Sequence, residues 1–325
     1  MRERLKRLIS AASLRRIVRR QFGEDVTVAR VTTIRGGLFN TSYKIRLRDG
    51  RTVVLRIAPP KDKPLLGCEA GLLEREIQFM RGLEKYHLPM PRLLRTDLTK
   101  RVIDRNYIIS EFCEGFTAFY RMKQLTARQQ DVVFGELGGY ARRIHAIENE
   151  KGWFGAPAPL KPFRRWSEFV RWHALTLEKE LTGHPYLALP ERISVASILD
   201  RMADVLDEIR TPRLVHGDLW WRNILIGRRN GTYGITAILD WDRCVWGDPY
   251  FEWILHGLDL RPAFWEAYGR VEADPRSHAK RKLLYKALGC LQAGLEDSVH
   301  FHLKRQSKQM LGYAVGNFEA LGKVL

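Results

Sequence analysis

Acidic residues are in short supply in this chain: 37 Asp and Glu stand against 55 Lys and Arg, a formal charge of +18 over 325 residues. An excess of that size raises nucleic acid as a partner. Much of it, however, lies at one end, where residues 1–22 hold Arg2, Arg4, Lys6, Arg7, Arg15, Arg16, Arg19 and Arg20 against Glu3 alone. That segment is amphipathic, so it reads as helix with a solvated basic face, Ser10 or Ser13 as N-cap and Gly23 as stop. Nucleic acid is therefore not expected. Cysteine is scarce too: Cys68, Cys113, Cys244 and Cys290 lie far apart with no C-x-x-C pair, which argues against a zinc site or a disulfide framework and leaves free thiols. No stretch approaches the roughly eighteen apolar residues of a spanning helix. The basic start lacks an apolar run ending in a small-residue cleavage site, so the expectation is a cytoplasmic protein without a membrane span.

What is present is an ordinary globular balance, 45% hydrophobic and 28% charged, in a length that suits two lobes around a cleft. Residues 26–34, 41–47 and 51–57 are rich in β-branched side chains and separated by turn residues, which predicts antiparallel strands. A helix from Glu69 to Tyr86, a proline-bounded connection over 88–94 and a strand over 106–112 complete a sheet-rich first part. Beyond Gly115 the periodicity turns helical, over 126–148, 166–182, 192–210 and most of 276–322. Short strands are expected around residues 213–242, flanking a turn at 229–231. The predicted class is α+β, divided into a basic helical segment (1–22), a first lobe (23–115) and a mainly helical second lobe (116–325).

Chemistry concentrates between His216 and Asp240. His216-Gly217-Asp218-Leu219 is followed by Asn223, and a short strand ends in Asp240-Trp241-Asp242. Phosphoryl transfer calls for these types: a carboxylate to orient and deprotonate the attacking hydroxyl, and an amide oxygen with a second carboxylate for Mg²⁺. The spacing matches the protein-kinase catalytic loop H-R-D-L-x-x-x-N, with Gly217 in place of arginine and Asp240 where the D-F-G aspartate stands. Only a few residues separate Asp240 from Gly247-Asp248-Pro249, too few for an activation loop. A protein substrate is therefore not expected.

With HGDLWWRN, LDWD and GDPYFE in this order, the chain resembles the aminoglycoside phosphotransferase and choline kinase family over most of its length. The resemblance implies a protein-kinase-like two-lobe fold with an ATP cleft, Asp218 as catalytic base, and Asn223 with Asp240 as magnesium ligands. It also implies a structural Asp248, and it puts Glu252 where the family more often has aspartate.

Further upstream, Gly36 and Gly37, ahead of Asn40, are candidates for a phosphate-covering turn, although an ordinary hairpin would use them equally well. Arg56 ends VVLR where kinases carry V-A-I-K, and strand alternation puts it on the face of Val54, opposite Leu55 and Ile57. Glu74 and Glu76 compete as its helix partner. Glu76 shares the apolar stripe of Leu72, Phe79 and Leu83 and is preferred. Glu111 to Cys113 read as the hinge whose backbone would meet adenine. Trp220 and Trp221 could stack on an acceptor or pack in the core, and His145 reads as a core histidine. Asp242, Glu296 and Asp297 are the remaining acceptor-side candidates. Residues 245–325 hold nine acidic side chains against eleven Lys or Arg, no surplus for a polycation.

The function expected is transfer of the γ-phosphate of ATP, with GTP open, to a hydroxyl of a small molecule. An antibiotic such as an aminoglycoside, and with it a resistance role, is one acceptor class. A metabolite of choline, homoserine, sugar or amino-alcohol type is the alternative, and a non-catalytic nucleotide- or RNA-binding protein is the outlying one. The protein is expected to be a monomer or homodimer.

Overall fold

The computed structural model describes residues 6–35, 39–157, 160–184, 186–229, 231–257, 259–269 and 274–325. It opens with one helix, α1 (Ala11–Phe22), capped by Ser10, whose hydroxyl accepts from the Ser13 N–H at 3.0 Å, and stopped at Gly23, which donates to the Arg19 carbonyl at 2.9 Å. Strands β1 (Val28–Ile34), β2 (Thr41–Leu47), β3 (Thr52–Ile57), β4 (Leu93–Asp97) and β5 (Tyr107–Glu111) form an antiparallel sheet in the order β1-β2-β3-β5-β4. Its outer face, Tyr43, Ile45, Val53, Leu55 and Ile109 among others, buries Leu14, Ile17 and Val18 of α1. Arg15, Arg16, Arg19 and Arg20 stay exposed on the opposite side of that helix. The amphipathic segment thus covers the back of the sheet. Ile17 is 0% exposed there, so Ile17→Ala should cost about 2–5 kcal/mol of stability. Urea unfolding would measure it, and an unchanged midpoint would contradict this packing role for α1.

The connection over 88–94 ends in a strand, since β4 begins at Leu93 and pairs with β5 across a bulge between Leu93 and Arg95. Pro89 and Pro91 obscure it in the sequence, and an edge position frees it from the clean alternation that marks a buried strand. The helix expected from Glu69 to Tyr86 is shorter: α2 runs Leu72–Leu83 between 3-10 turns at Gly67–Glu69 and Glu84–Tyr86. A left-handed Gly71 (φ 65°, ψ 31°) separates the first turn from the helix.

Strand β6 (Phe116–Thr117) leaves the first sheet and pairs with β10 (Ile224–Arg229), which forms a hairpin with β11 (Thr232–Ile238). Helices α3 (Ala118–Arg121) and α4 (Ala127–His145) come between. A small sheet combines β7 (Phe154–Gly155), β8 (Pro162–Phe163), β9 (Arg213–Val215) and β12 (Val245–Gly247). Helices α5 (Trp166–Leu181), α6 (Val195–Asp207), α7 (Ile254–Gly257), α8 (Pro262–Tyr268), α9 (Pro275–Val299) and α10 (Lys304–Val324) make up the rest. The helical periodicity over most of 276–322 is carried by two helices, α9 and α10, with the chain turned between them at His302 (φ 52°).

The chain joins its two parts a second time. After β3 it sends a strap across to the helices: Leu66 is buried among Leu177, Leu181, Leu291 and Leu295. The Gly67 N–H donates to Glu180 Oε1 at 3.0 Å. Glu69, itself buried, stands 3.0 Å from His300 Nε2 at the end of α9.

Candidate active site

Between the sheet and the helices lies a cleft of about 680 Å³, open to solvent and lined from both sides. The period-2 pleat of β3 sends Leu55 and Ile57 under α1 and turns Val54 and Arg56 into the cleft. Arg56 Nη1 donates to Glu76 of α2, while its Nη2 stands 2.7 Å from Asp240 Oδ1 and 3.9 Å from Asp242 Oδ2. The planar guanidinium can span two carboxylates with separate nitrogens, which a lysine ammonium does less well. Burial pushes the Glu76 carboxyl upward, and Arg56 opposes it. Glu74 faces elsewhere and accepts from Asn106 Nδ2.

The loop after β9 is held from beneath. Glu252, wholly buried, accepts the N–H of His216 at 2.8 Å, of Gly217 at 3.3 Å and of Leu219 at 3.2 Å. Burial alone would raise the Glu252 carboxyl, but His145, His216 and the Leu219 N–H together hold it below its ordinary value. His145 Nε2 stands 3.6 Å away, an electrostatic contact, while its Nδ1 meets the Tyr268 hydroxyl at 2.7 Å. The longer glutamate thus has a use: it gathers three backbone donors of the loop. His216 Nε2 lies 3.0 Å from the Leu239 carbonyl, which can only accept, so the proton sits there and Nδ1 is left to accept from the Asp218 N–H at 3.3 Å. Burial lowers the pKa of this imidazole, against the pull of Glu252.

Gly217 has φ 76°, and a Cβ placed on it would stand 2.3 Å from the Arg243 carbonyl oxygen. Space and backbone both require glycine where protein kinases carry arginine. Asp218 therefore projects into the cleft. Its withdrawal from water raises its carboxyl well above the ordinary range; Arg243 counters this, and Asp242, Glu296 and Asp240 add to it.

Asn223 Nδ2 donates to Asp218 Oδ2 at 2.7 Å and to the Asp218 carbonyl at 2.9 Å, which leaves its Oδ1 as an acceptor. Asp240 sits at φ 59°, and its side chain keeps 37% exposure in the cleft. One amide oxygen and one carboxylate, both hard donors, are what a Mg²⁺ shared with phosphate oxygens takes from a protein. The donor set fits that ion. Among the described residues no group of three or more His, Cys, Asp or Glu side chains could cage a metal without such sharing.

Other candidates separate. Asn40 is buried and borders the cleft, and Gly36 and Gly37 lie outside the described residues. Glu111 and Cys113 line the cleft, but the Glu111 carboxylate is taken by Arg92 at 2.6 Å. Trp220 borders the cleft, whereas Trp221 turns from it and packs edge-on against Phe134, ring centroids 5.0 Å apart. Trp221 is thus half-buried against the core. Asp242 stands beside Arg56 and Asp240. Glu296 and Asp297 both border the cleft, with Glu296 held by Arg243 Nη1 at 2.8 Å. Arg243 had no signal in the sequence: it lies within 3.5 Å of Glu69 from the strap and stacks toward Phe39, contacts set by tertiary structure alone.

The family model for the phosphotransferase enzyme family matches residues 30–283. The chain belongs to that family. It is thereby a small-molecule phosphotransferase by kinship, with the two-lobed protein-kinase-like fold of its relatives. A probable ketoamine kinase of Synechocystis sp. (strain PCC 6803) is 27% identical over 218 residues, 63% of this chain and 66% of that protein. In fold the phosphotransferase is similar to a candidate fructosamine-3-kinase from Thermobifida fusca, with TM-score 0.67, 17% identity and coverage of 97% and 100% of the two chains. It is also similar to the aminoglycoside phosphotransferase APH(4)-Ia in its complex with AMP-PNP and hygromycin B, with TM-score 0.57, 19% identity and coverage of 97% and 99%. Among the described residues no helix is long and apolar enough to cross a membrane.

Proposed function

We propose that this cleft binds a magnesium nucleotide, ATP in the first instance, between the lobes and transfers its γ-phosphate to a hydroxyl of a small polar molecule. The observation that carries the proposal is the convergence of Asp218, Asn223, Asp240 and the Arg56–Glu76 pair on one cleft. Asp218 orients the acceptor hydroxyl and takes its proton as the oxygen bonds to the γ-phosphorus. The bond from that phosphorus to the β–γ bridging oxygen breaks, and ADP leaves. Asn223 Oδ1 and the Asp240 carboxylate would hold Mg²⁺, which offsets the phosphate charge. Arg56 meets the phosphates from the sheet side, and the backbone of Glu111 to Cys113 faces the adenine. The relatives show two kinds of acceptor for such a cleft, a ketoamine in the Synechocystis protein's description and hygromycin B in the APH(4)-Ia complex.

Nucleotide-dependent thermal shift and ADP release test this reading. Asp240→Asn should lower Mg²⁺-dependent turnover by about 10²-fold or more, and should abolish the extra stabilisation that Mg²⁺ adds to AMP-PNP binding. Full magnesium dependence in that variant would remove Asp240 from the metal site.

A further inference from the structure

The cleft does not use up the basic surplus of the chain, and a share of it meets on the outer side of the first lobe. Helix α1 lies there with Leu14, Ile17 and Val18 turned onto the sheet and Arg15, Arg16, Arg19 and Arg20 turned out. These four fall at i, i+1, i+4 and i+5, one stripe of a helix. Among the described residues Arg15, Arg19 and Arg20 form no ion pair, and Arg16 donates to the Val102 carbonyl, which leaves its charge unmatched.

Tertiary structure widens the stripe. The Phe22 ring at the end of α1 carries the guanidinium of Arg51, from the turn between β2 and β3, at 5.0 Å, and that of Arg95, from β4, at 5.5 Å. Arg95 also donates to the Gln21 carbonyl at 2.9 Å, and the segment that receives Arg16 brings the exposed Lys100 and Arg101. Acids nearby offer little compensation. Asp49 is held by Arg51 at 2.6 Å, Asp104 by Arg105 at 3.6 Å, and Asp97 is buried and bonded to Tyr107 and Thr99, while Glu24 and Asp25 lie past the end of the helix. Chain order shows only the α1 part of this face, which is why the segment alone reads as a solvated helix.

We infer that this face docks nucleic acid through its phosphate backbone, without sequence preference. The inference is independent of the phosphotransferase reading of the cleft. Guanidinium forks match phosphate oxygens, and each phosphate neutralised releases condensed counterions. Anchored in separate parts of the fold, the stripe is ordered before the partner arrives, so less freedom is lost on binding than by a flexible basic tail. The Phe22 ring lies under two guanidinium groups and offers no open platform for a base, so the bases go unread. An anionic bilayer suits the face less well, because the apolar side of α1 that would enter it is already spent on the sheet, Ile17 being 0% exposed. The pleat that sends Leu55 under α1 sends Arg56 to the cleft, so the two sites lie on opposite sides of one sheet and should fill independently.

Fluorescence anisotropy of a labelled random-sequence DNA duplex, titrated with the full chain at several salt concentrations, tests this. Affinity should fall with salt at a log–log slope of about −4, the counterion release of four to five neutralised phosphates. Reversing two charges of the stripe, Arg15→Glu with Arg19→Glu, should weaken binding at low salt about tenfold or more and flatten the slope by about 2. The same change in net charge on α10, Arg305→Glu with Lys308→Glu, both exposed, should leave affinity within about threefold. Mg-AMP-PNP binding should be unaltered in both pairs. Arg15→Gln with Arg19→Gln, which removes charge without adding repulsion, should fall between wild type and the glutamate pair, and it keeps the test open if the latter folds poorly. Equal losses from the α1 and α10 pairs would mean bulk charge alone, and displacement of the duplex by Mg-AMP-PNP would put the nucleic acid in the cleft. Either result, unchanged affinity in the glutamine pair, or tighter binding to phosphatidylglycerol vesicles than to the duplex would overturn the inference.

Discussion

Asp218→Asn should lose turnover by about 10³-fold while binding Mg-AMP-PNP as before, since a positioned proton acceptor contributes about 10²–10⁴ in rate and the substitution preserves shape. Asparagine can still accept from Asn223 through Oδ1, so the 2.7 Å contact that fixes the loop survives. Stability should move the other way. Withdrawal from water raises the Asp218 carboxyl above its unfolded value, so the folded state favours the protonated acid. The stability this provides is present below the ordinary carboxylate range and is lost as pH rises through the raised value. The asparagine variant, without a charge to bury, should therefore unfold at higher urea than wild type at neutral pH and converge with it in acid. An inactive variant with unchanged or lower neutral stability would contradict the electrostatic account. Wild-type turnover in Asp218→Asn would remove the carboxylate from the reaction altogether.

Gly217→Ala is expected to be the most damaging single methyl group that can be added to the loop. The left-handed backbone at φ 76° costs a non-glycine residue about 1–3 kcal/mol. The added Cβ also falls 2.3 Å from the Arg243 carbonyl, so backbone must move on one side or the other. Together these should cost about 2–5 kcal/mol. Gly231 makes the control: its φ is 83°, yet nothing lies within 4 Å of its Cβ position, so Gly231→Ala should show the backbone cost alone. Equal urea midpoints for the two variants would show that the contact with Arg243 carries no weight. Loss of turnover should accompany the Gly217 change, since Asp218 is the next residue.

Local signals were visible wherever a residue's neighbours in the chain set its environment. Strand β2 lies where alternation put it, at Thr41–Leu47, and α1 begins and ends at its capping serine and glycine. The two-lobed class was legible for the same reason. The strap was not, because Glu69 meets His300 across 231 positions and nothing in GCEAG marks a turn that crosses a cleft. Arg243 went unnoticed on similar grounds: an arginine after LDWD gains its place from Glu69, Glu296 and Phe39 on other elements. Trp221 shows the same limit within one loop. Two adjacent tryptophans in a loop look alike in sequence, but the backbone sends them opposite ways, Trp220 to the cleft and Trp221 to Phe134.

The strap also adds to what ties the sheet to the helices. The continuous chain through residues 112–117 is one attachment and Leu66 to Glu69, seated on α5 and α9, is another. A third is α2, whose Leu73, Ile77, Phe79 and Met80 share one core with Leu137, Ile238 and Trp241. Drawing the two parts of this enzyme apart would expose that apolar surface to water and break the Glu69–His300 contact with it. Arg56 is thereby tied to its place above Asp240 from three directions.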